Sequence, residues 1–240
     1  MITKRLAILA NSVRSNNHCI AGKELNLRDN KWYWGDWVRP VSLHGEGEIN
    51  NRECMCSNGM QTLILDTVEI AFSEKQQCDS QPENHLIDSS IKWKKTGKLP
   101  NSSLLDIIEE PDNLWLHRGT KTDRIHSDHA IESVVPFQSL YLIRPNNLHF
   151  KIWQAEDQYY DYPRKHRRAI FSYNNAHYNL SITDPTMESR YFRNFPPLNE
   201  PAVEIQPNEP NNCLLVVSLA KPFTDGYHYK IVATVLEVNQ

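Results

Sequence analysis

The sequence predicts a mainly β chain: two small antiparallel barrels packed together, with a few short helices. Three observations carry this expectation. About eight segments have strand character, and no alternation of strand and helix implies a parallel sheet. The third is a self-consistent hairpin between His166 and Pro185, turning at Asn174-Asn175, where asparagine tolerates positive φ.

Folding about that turn pairs Tyr173 with Ala176, Phe171 with Tyr178 and Ala169 with Leu180, so these residues and Ile182 share one apolar face. The opposite face carries Arg168, Ile170, Ser172, His177, Asn179, Ser181 and Thr183. Immediately upstream lies Arg164-Lys165-His166-Arg167-Arg168. One face therefore suits a core and the other suits water or a polar ligand.

The remaining elements follow in chain order. Leu6 to Ala10 reads as a first strand, and Gly22-Lys23 as a turn. Trp37 to Ser42 reads as an edge or strand end because of Pro40. Gln61 to Phe72 alternates as a long strand, whereas Ser73 to Ser90 is polar and reads as irregular. Leu104, Leu105, Ile107 and Ile108 follow Asn101-Ser102-Ser103 at helical spacing, which predicts one short helix. Ser139 to Ile143 and Leu148 to Trp153 read as strands joined by a turn through Arg144-Pro145-Asn146-Asn147. Asp184-Pro185 begins a turn or two of helix over Met187 to Phe192. The chain closes with strands over Cys213 to Leu219 and Tyr227 to Val238, joined through Thr224-Asp225-Gly226. A strand set interrupted by a helix in each half suits two Greek-key barrels of the OB type.

Composition excludes several classes. The chain has 240 residues, 40% of them hydrophobic and 23% charged, with a net charge of -3. That charge gives no global attraction to nucleic acid or membrane, so such a partner must be held locally. Residues 139 to 195 hold eight Lys and Arg against five Asp and Glu, while 196 to 240 hold two against five. No apolar run reaches the roughly 18 residues of a spanning helix. The N-terminal apolar run is too short for a signal peptide, so a cytoplasmic protein is expected, with no membrane partner. Cys19, Cys54, Cys56, Cys78 and Cys213 are odd in number and scattered, which does not suggest a disulfide framework.

Sites of chemistry are few. Cys19 beside His18 invites a nucleophile with its base, yet sequence neighbours seldom meet in catalytic geometry. Cys54-x-Cys56 with Cys78 lacks the two-residue spacing of a zinc site, and His126, Asp128 and His129 fit a solvated loop as well as a metal. No metal and no cofactor are expected. Phosphate-loop, dinucleotide-binding, metalloprotease, nucleophile-elbow and zinc-deaminase signatures are absent, which weighs against an enzyme without deciding the point.

Leu9-Ala10-Asn11-Ser12, Cys19-Ile20-Ala21-Gly22-Lys23, Trp37-Val38-Arg39-Pro40-Val41-Ser42, Leu180-Ser181-Ile182-Thr183-Asp184-Pro185 and Val217-Ser218-Leu219 follow in this order. In this the chain resembles the bacterial dual OB-containing domain family over nearly its whole length. The resemblance implies two OB-like barrels, residues 1–136 with loop insertions and residues 137–240, and no particular activity.

Three functions compete. The leading expectation is a non-catalytic module that binds nucleic acid, chiefly single strands, as an accessory subunit of a bacterial antiphage defence or nucleic-acid-processing system. Its residues are Arg164, Lys165, Arg167, Arg168, Tyr162, Tyr173 and His177, with Tyr159 and Tyr160 alongside, because cations track phosphates and rings stack on bases. The second is a protein-interaction adaptor within a larger complex. The third is a nucleotide or modified-base sensor or enzyme with a pocket between barrels, where Lys23, Arg39 and Trp37 would contribute.

Overall fold

The computed structural model describes residues 1–14, 16–116, 122–133, 137–157 and 161–238. Contacts divide the chain into two compact units, Met1–Ile108 with Pro136–Leu140, and Glu109–Val135 with Tyr141–Gln240. Much of the segment between 109 and 135, assigned to the first barrel by sequence, therefore packs with the second.

The first unit contains β1 (Ile2–Arg14), β2 (Asn17–Arg28), β3 (Lys31–Val41), β4 (Asp66–Lys75), β5 (Asn84–Ile87) and β6 (Lys94–Lys98). Their order is β1-β2-β3-β5-β4-β6, and β1 also pairs with β4, so five strands close on themselves. All pairings are antiparallel except β3 with β5. The first half of β1 lies against β4 and the second half against β2, with a bulge between Ile8 and Ala10 where the strand passes from one neighbour to the other. Leu6, Ile8, Ile20, Val38, Val68, Ile70 and Phe72 fill the interior together with Cys54, Cys56 and Trp93.

Three expectations for this unit change. Gly22 lies inside β2, not at a turn, because the barrel wall brings Ala7 so close that a Cβ would sit 2.1 Å from its carbonyl oxygen. The strand expected from Gln61 begins at Asp66, since Leu65 has φ of 67° and Asp66 accepts the Leu63 N–H. The polar segment 73–90 contains β5, too short to show a period.

The second unit contains β7 (Arg124–His126), α1 (Ser127–Ala130), β8 (Leu140–Ile143), β9 (Asn146–Ala155), β10 (Arg164–Tyr173), β11 (Ala176–Ile182), α2 (Met187–Arg190), β12 (Val203–Ile205), β13 (Cys213–Pro222) and β14 (Tyr227–Glu237). The order is β12-β9-β10-β11-β14-β13-β8, with β7 on β14. Antiparallel β9-β10-β11, a parallel β11-β14 step and antiparallel β14-β13 repeat the pairing senses of β1-β2-β3-β5-β4. β8 and β9 together occupy the place of β1. The sequence reads a plain turn through Arg144-Pro145-Asn146-Asn147, and the two strands it joins do not pair with each other: β8 lies beside β13 and β9 beside β10.

The expected hairpin register is found, with Tyr173 opposite Ala176, Phe171 opposite Tyr178 and Ala169 opposite Leu180. Asn174 and Asn175 have φ of 44° and 63°, the backbone a two-residue hairpin turn needs. The expected helix near 101 is a 3-10 helix over Asn101–Ile107, whose buried Leu104 and Ile107 stand three residues apart. Asp184 is buried and structural: Oδ1 accepts from Thr186 N and Oγ1, and Oδ2 accepts from Val235 N at 3.0 Å, tying the start of α2 to β14.

Candidate functional site

Period-two alternation gives the sheet of β9, β10 and β11 two unlike sides. Leu148, Phe150, Ile152, Ala169, Phe171, Tyr178 and Leu180 are buried inside. Cross-strand register then places His149, Lys151 and Trp153 of β9 beside Ile170, Arg168 and His166 of β10 on the outer side. On the other flank Ser181, Asn179 and His177 of β11 pair with Arg168, Ile170 and Ser172.

Arg168 holds the centre of this surface. Its Nε donates to Asn179 Oδ1 at 2.7 Å, its Nη1 to Ser181 Oγ at 2.8 Å, and its Nη2 to the Asn179 carbonyl. A guanidinium has five donors, so this rigid hold leaves capacity for an anion. Burial lowers its pKa, opposed by nearby Asp123, and it stays charged at neutral pH. Lys151 stands directly opposite Arg168 in the register. Like charges facing across a ladder repel, and Lys151 is offset only loosely by Glu204 at 3.7 Å.

Rings flank the cations. Trp153 and His166 stack with centroids 4.6 Å apart and planes at 5°. Burial, with Arg164 and Arg168 close by, holds the His166 imidazole below the ordinary histidine value, so the stack is neutral at pH 7. Arg124 lies 4.8 Å from the Tyr229 ring centroid and donates to Tyr229 Oη at 3.1 Å. Its Nε and Nη2 reach the Asp123 carboxylate at 3.2 and 3.0 Å. That hydrogen bond raises the Arg124 pKa. In chemical terms the surface offers fixed cations between flat rings.

The expected basic run splits between two sides of β10. Arg164 lies 3.9 Å from Asp157 and shares the parity of His166 and Arg168. Lys165 and Arg167 have the other parity: their cations stand 4.9 and 5.0 Å from the Phe195 ring, and Arg167 Nε donates to Glu188 at 2.6 Å. Tyr162 is 65% exposed between β9 and β10; Tyr159 and Tyr160 lie outside the described residues. Tyr173 turns inward, its hydroxyl donating to the Pro111 carbonyl. His177 is exposed, with Nδ1 2.9 Å from Ser172 Oγ.

Of the residues nominated for a pocket, Lys23 lies 5.3 Å from the Trp37 ring centroid, and Trp37 is buried. Arg39 is buried and donates to Ser139 Oγ at 3.0 Å, and Ser139 Oγ in turn donates to Glu83. Burial lowers the Arg39 pKa, with Glu83 opposing.

Cys54 and Cys56 belong to the core of the first unit, and burial pushes the Cys54 thiol up to about 11. His126 caps α1 through the Asp128 N–H. Among the described residues no three His, Cys, Asp or Glu side chains converge as a metal site, and no helix is long and apolar enough to cross a membrane.

The sequence reading missed Lys151 and Trp153, although their alternation on β9 was a usable signal. Arg124 and Tyr229 are 105 residues apart and gave none.

A strand order of 1-2-3-5-4 closing on 1 in the first unit, and followed again in the second, defines a protein built from two OB-type barrels. Residues 4–235 match the family model described as the dual OB-containing domain, and the chain belongs to that family. No curated protein and no solved structure matches it.

Proposed function

We propose that the chain is a non-catalytic accessory module that binds single-stranded nucleic acid with the outer surface of β9, β10 and β11. The observation that carries this reading is Arg168 facing Lys151 beside the Trp153–His166 stack. The repulsion between the two cations falls when a phosphate lies over them, and the stack offers an adjoining surface for bases. β10 and β11 are the second and third strands of the barrel order, the side on which OB barrels take oligonucleotides.

Fluorescence anisotropy with labelled single-stranded DNA, single-stranded RNA and duplex DNA tests it at about 50 and 200 mM salt, the range over which phosphate contacts weaken steeply. Arg168→Ala and Lys151→Ala each lower single-strand affinity and make the salt slope shallower by about 0.7, one phosphate contact's worth. Arg167→Ala, on the other side of β10, leaves affinity near that of the parent. Absence of saturable binding at the lower salt sinks the reading and favours the adaptor function.

A further inference from the structure

A cleft of about 340 Å³ opens in the first unit, apart from the surface just described. Its volume sits at the small end of the range for ligand pockets, roughly 300–1,000 Å³. Leu25, Trp32 and Trp34 form its apolar side, and Lys98, Ser103 and Asp106 its polar rim. Trp32 is 48% exposed, a large ring left half in water.

The ring is nevertheless held in place. Arg5 spans Trp32 at 4.5 Å from the ring centroid and bonds to Glu69, which also receives the Lys94 ammonium at 3.2 Å. Glu69 is shared by two cations, so the arginine is positioned while its charge is only partly offset. At the rim Lys98 and Asp106 bring opposite signs, a donor and an acceptor side by side. The aromatic side chains of the cleft favour a planar ring. The Asp106 carboxylate forms no hydrogen bond or ion pair among the described residues, and a carboxylate only accepts.

We propose that this cleft binds one unpaired nucleobase, stacked against Trp32 with its donor edge on Asp106. Guanine is preferred, because its ring N–H and amino group lie side by side and match the two oxygens of a carboxylate. The base comes either from a free nucleoside or from a strand, and the two sources share this chemistry.

Isothermal titration of the full chain with guanosine, uridine and methyl glucoside tests the site, followed by a short single strand carrying one guanine. Guanosine binds saturably and more tightly than uridine. Trp32→Ala weakens it about ten-fold, as loss of one stacking ring does. Asp106→Asn, a change of equal size at an exposed position, narrows the margin over uridine with the melting temperature of the parent. Arg168→Ala leaves guanosine affinity unchanged, which separates this site from the proposed strand-binding surface. Tighter binding of the oligonucleotide than of guanosine, lost on Trp32→Ala, assigns the strand as source; equal or weaker binding assigns the nucleoside. No response to guanosine at millimolar concentration, or methyl glucoside binding with the same dependence on Trp32, overturns the proposal.

Discussion

Lys230 places an ammonium group in the interior of the second unit. It is 2% exposed, its Nζ has no hydrogen-bond partner among the described residues, and the Tyr178 ring centroid lies 5.9 Å away. Burial lowers its pKa from 10.5 to about 8. Above the higher value the amine is neutral folded and unfolded, and below the lower value it is charged in both. Stability therefore rises with pH between them, by about 3 kcal/mol. Lys230→Met is expected to flatten that rise and to stabilise the protein at pH 7 by about 2–3 kcal/mol, read from urea unfolding at pH 7 and pH 10. The sequence reading placed a strand over Tyr227 to Val238 and passed over Lys230, the one lysine or arginine in it. Arg168, by contrast, was legible, because strand alternation alone puts it on the polar face. Tyr173 shows the opposite error: it was nominated for a ligand although the same alternation, written out for the hairpin, turns it inward.

At the scale of elements, local pairings were legible and distant ones were not. The β10–β11 hairpin carries its register in a two-residue turn. Asn175 pays a small conformational cost at φ of 63° that glycine does not. Asn175→Gly is expected to raise stability by a few tenths of a kcal/mol, and Asn175→Val to lower it by about 1–2 kcal/mol, both measured by chemical denaturation. The β3–β5 and β11–β14 pairings are parallel and join strands separated by long stretches of chain. No turn residue announces such a pairing, which is why β5 was lost in a polar segment.

At the scale of the whole molecule, two OB-like barrels followed from counting strands and from the family resemblance, whereas their strand order did not, and the barrel wall depends on close approach. Gly22 is where that approach is tightest: any Cβ there meets the backbone of Ala7, not a movable side chain. Gly22→Ala is expected to cost about 1–3 kcal/mol, and thermal unfolding followed at the tryptophans reads it. A melting temperature equal to that of the parent would mean the barrel wall yields at little cost. The cations of β10 were found from the sequence although the net charge is -3, but their division between the two sides of the strand, and Lys151 opposite Arg168, required the register.

Closure also decides which backbone groups are left for other chains to find. In the first unit the exposed end of the strand order falls to β6, five residues of which three are lysine. In the second the order ends on β8, whose four residues are buried, and on β12, only three residues long and bounded in sequence by Pro201 and Pro207. Strands in two copies that would otherwise zip together meet like charge at one edge and run out of length at the other. A protein this rich in sheet thus guards itself against fibrous self-association with three lysines and a short strand.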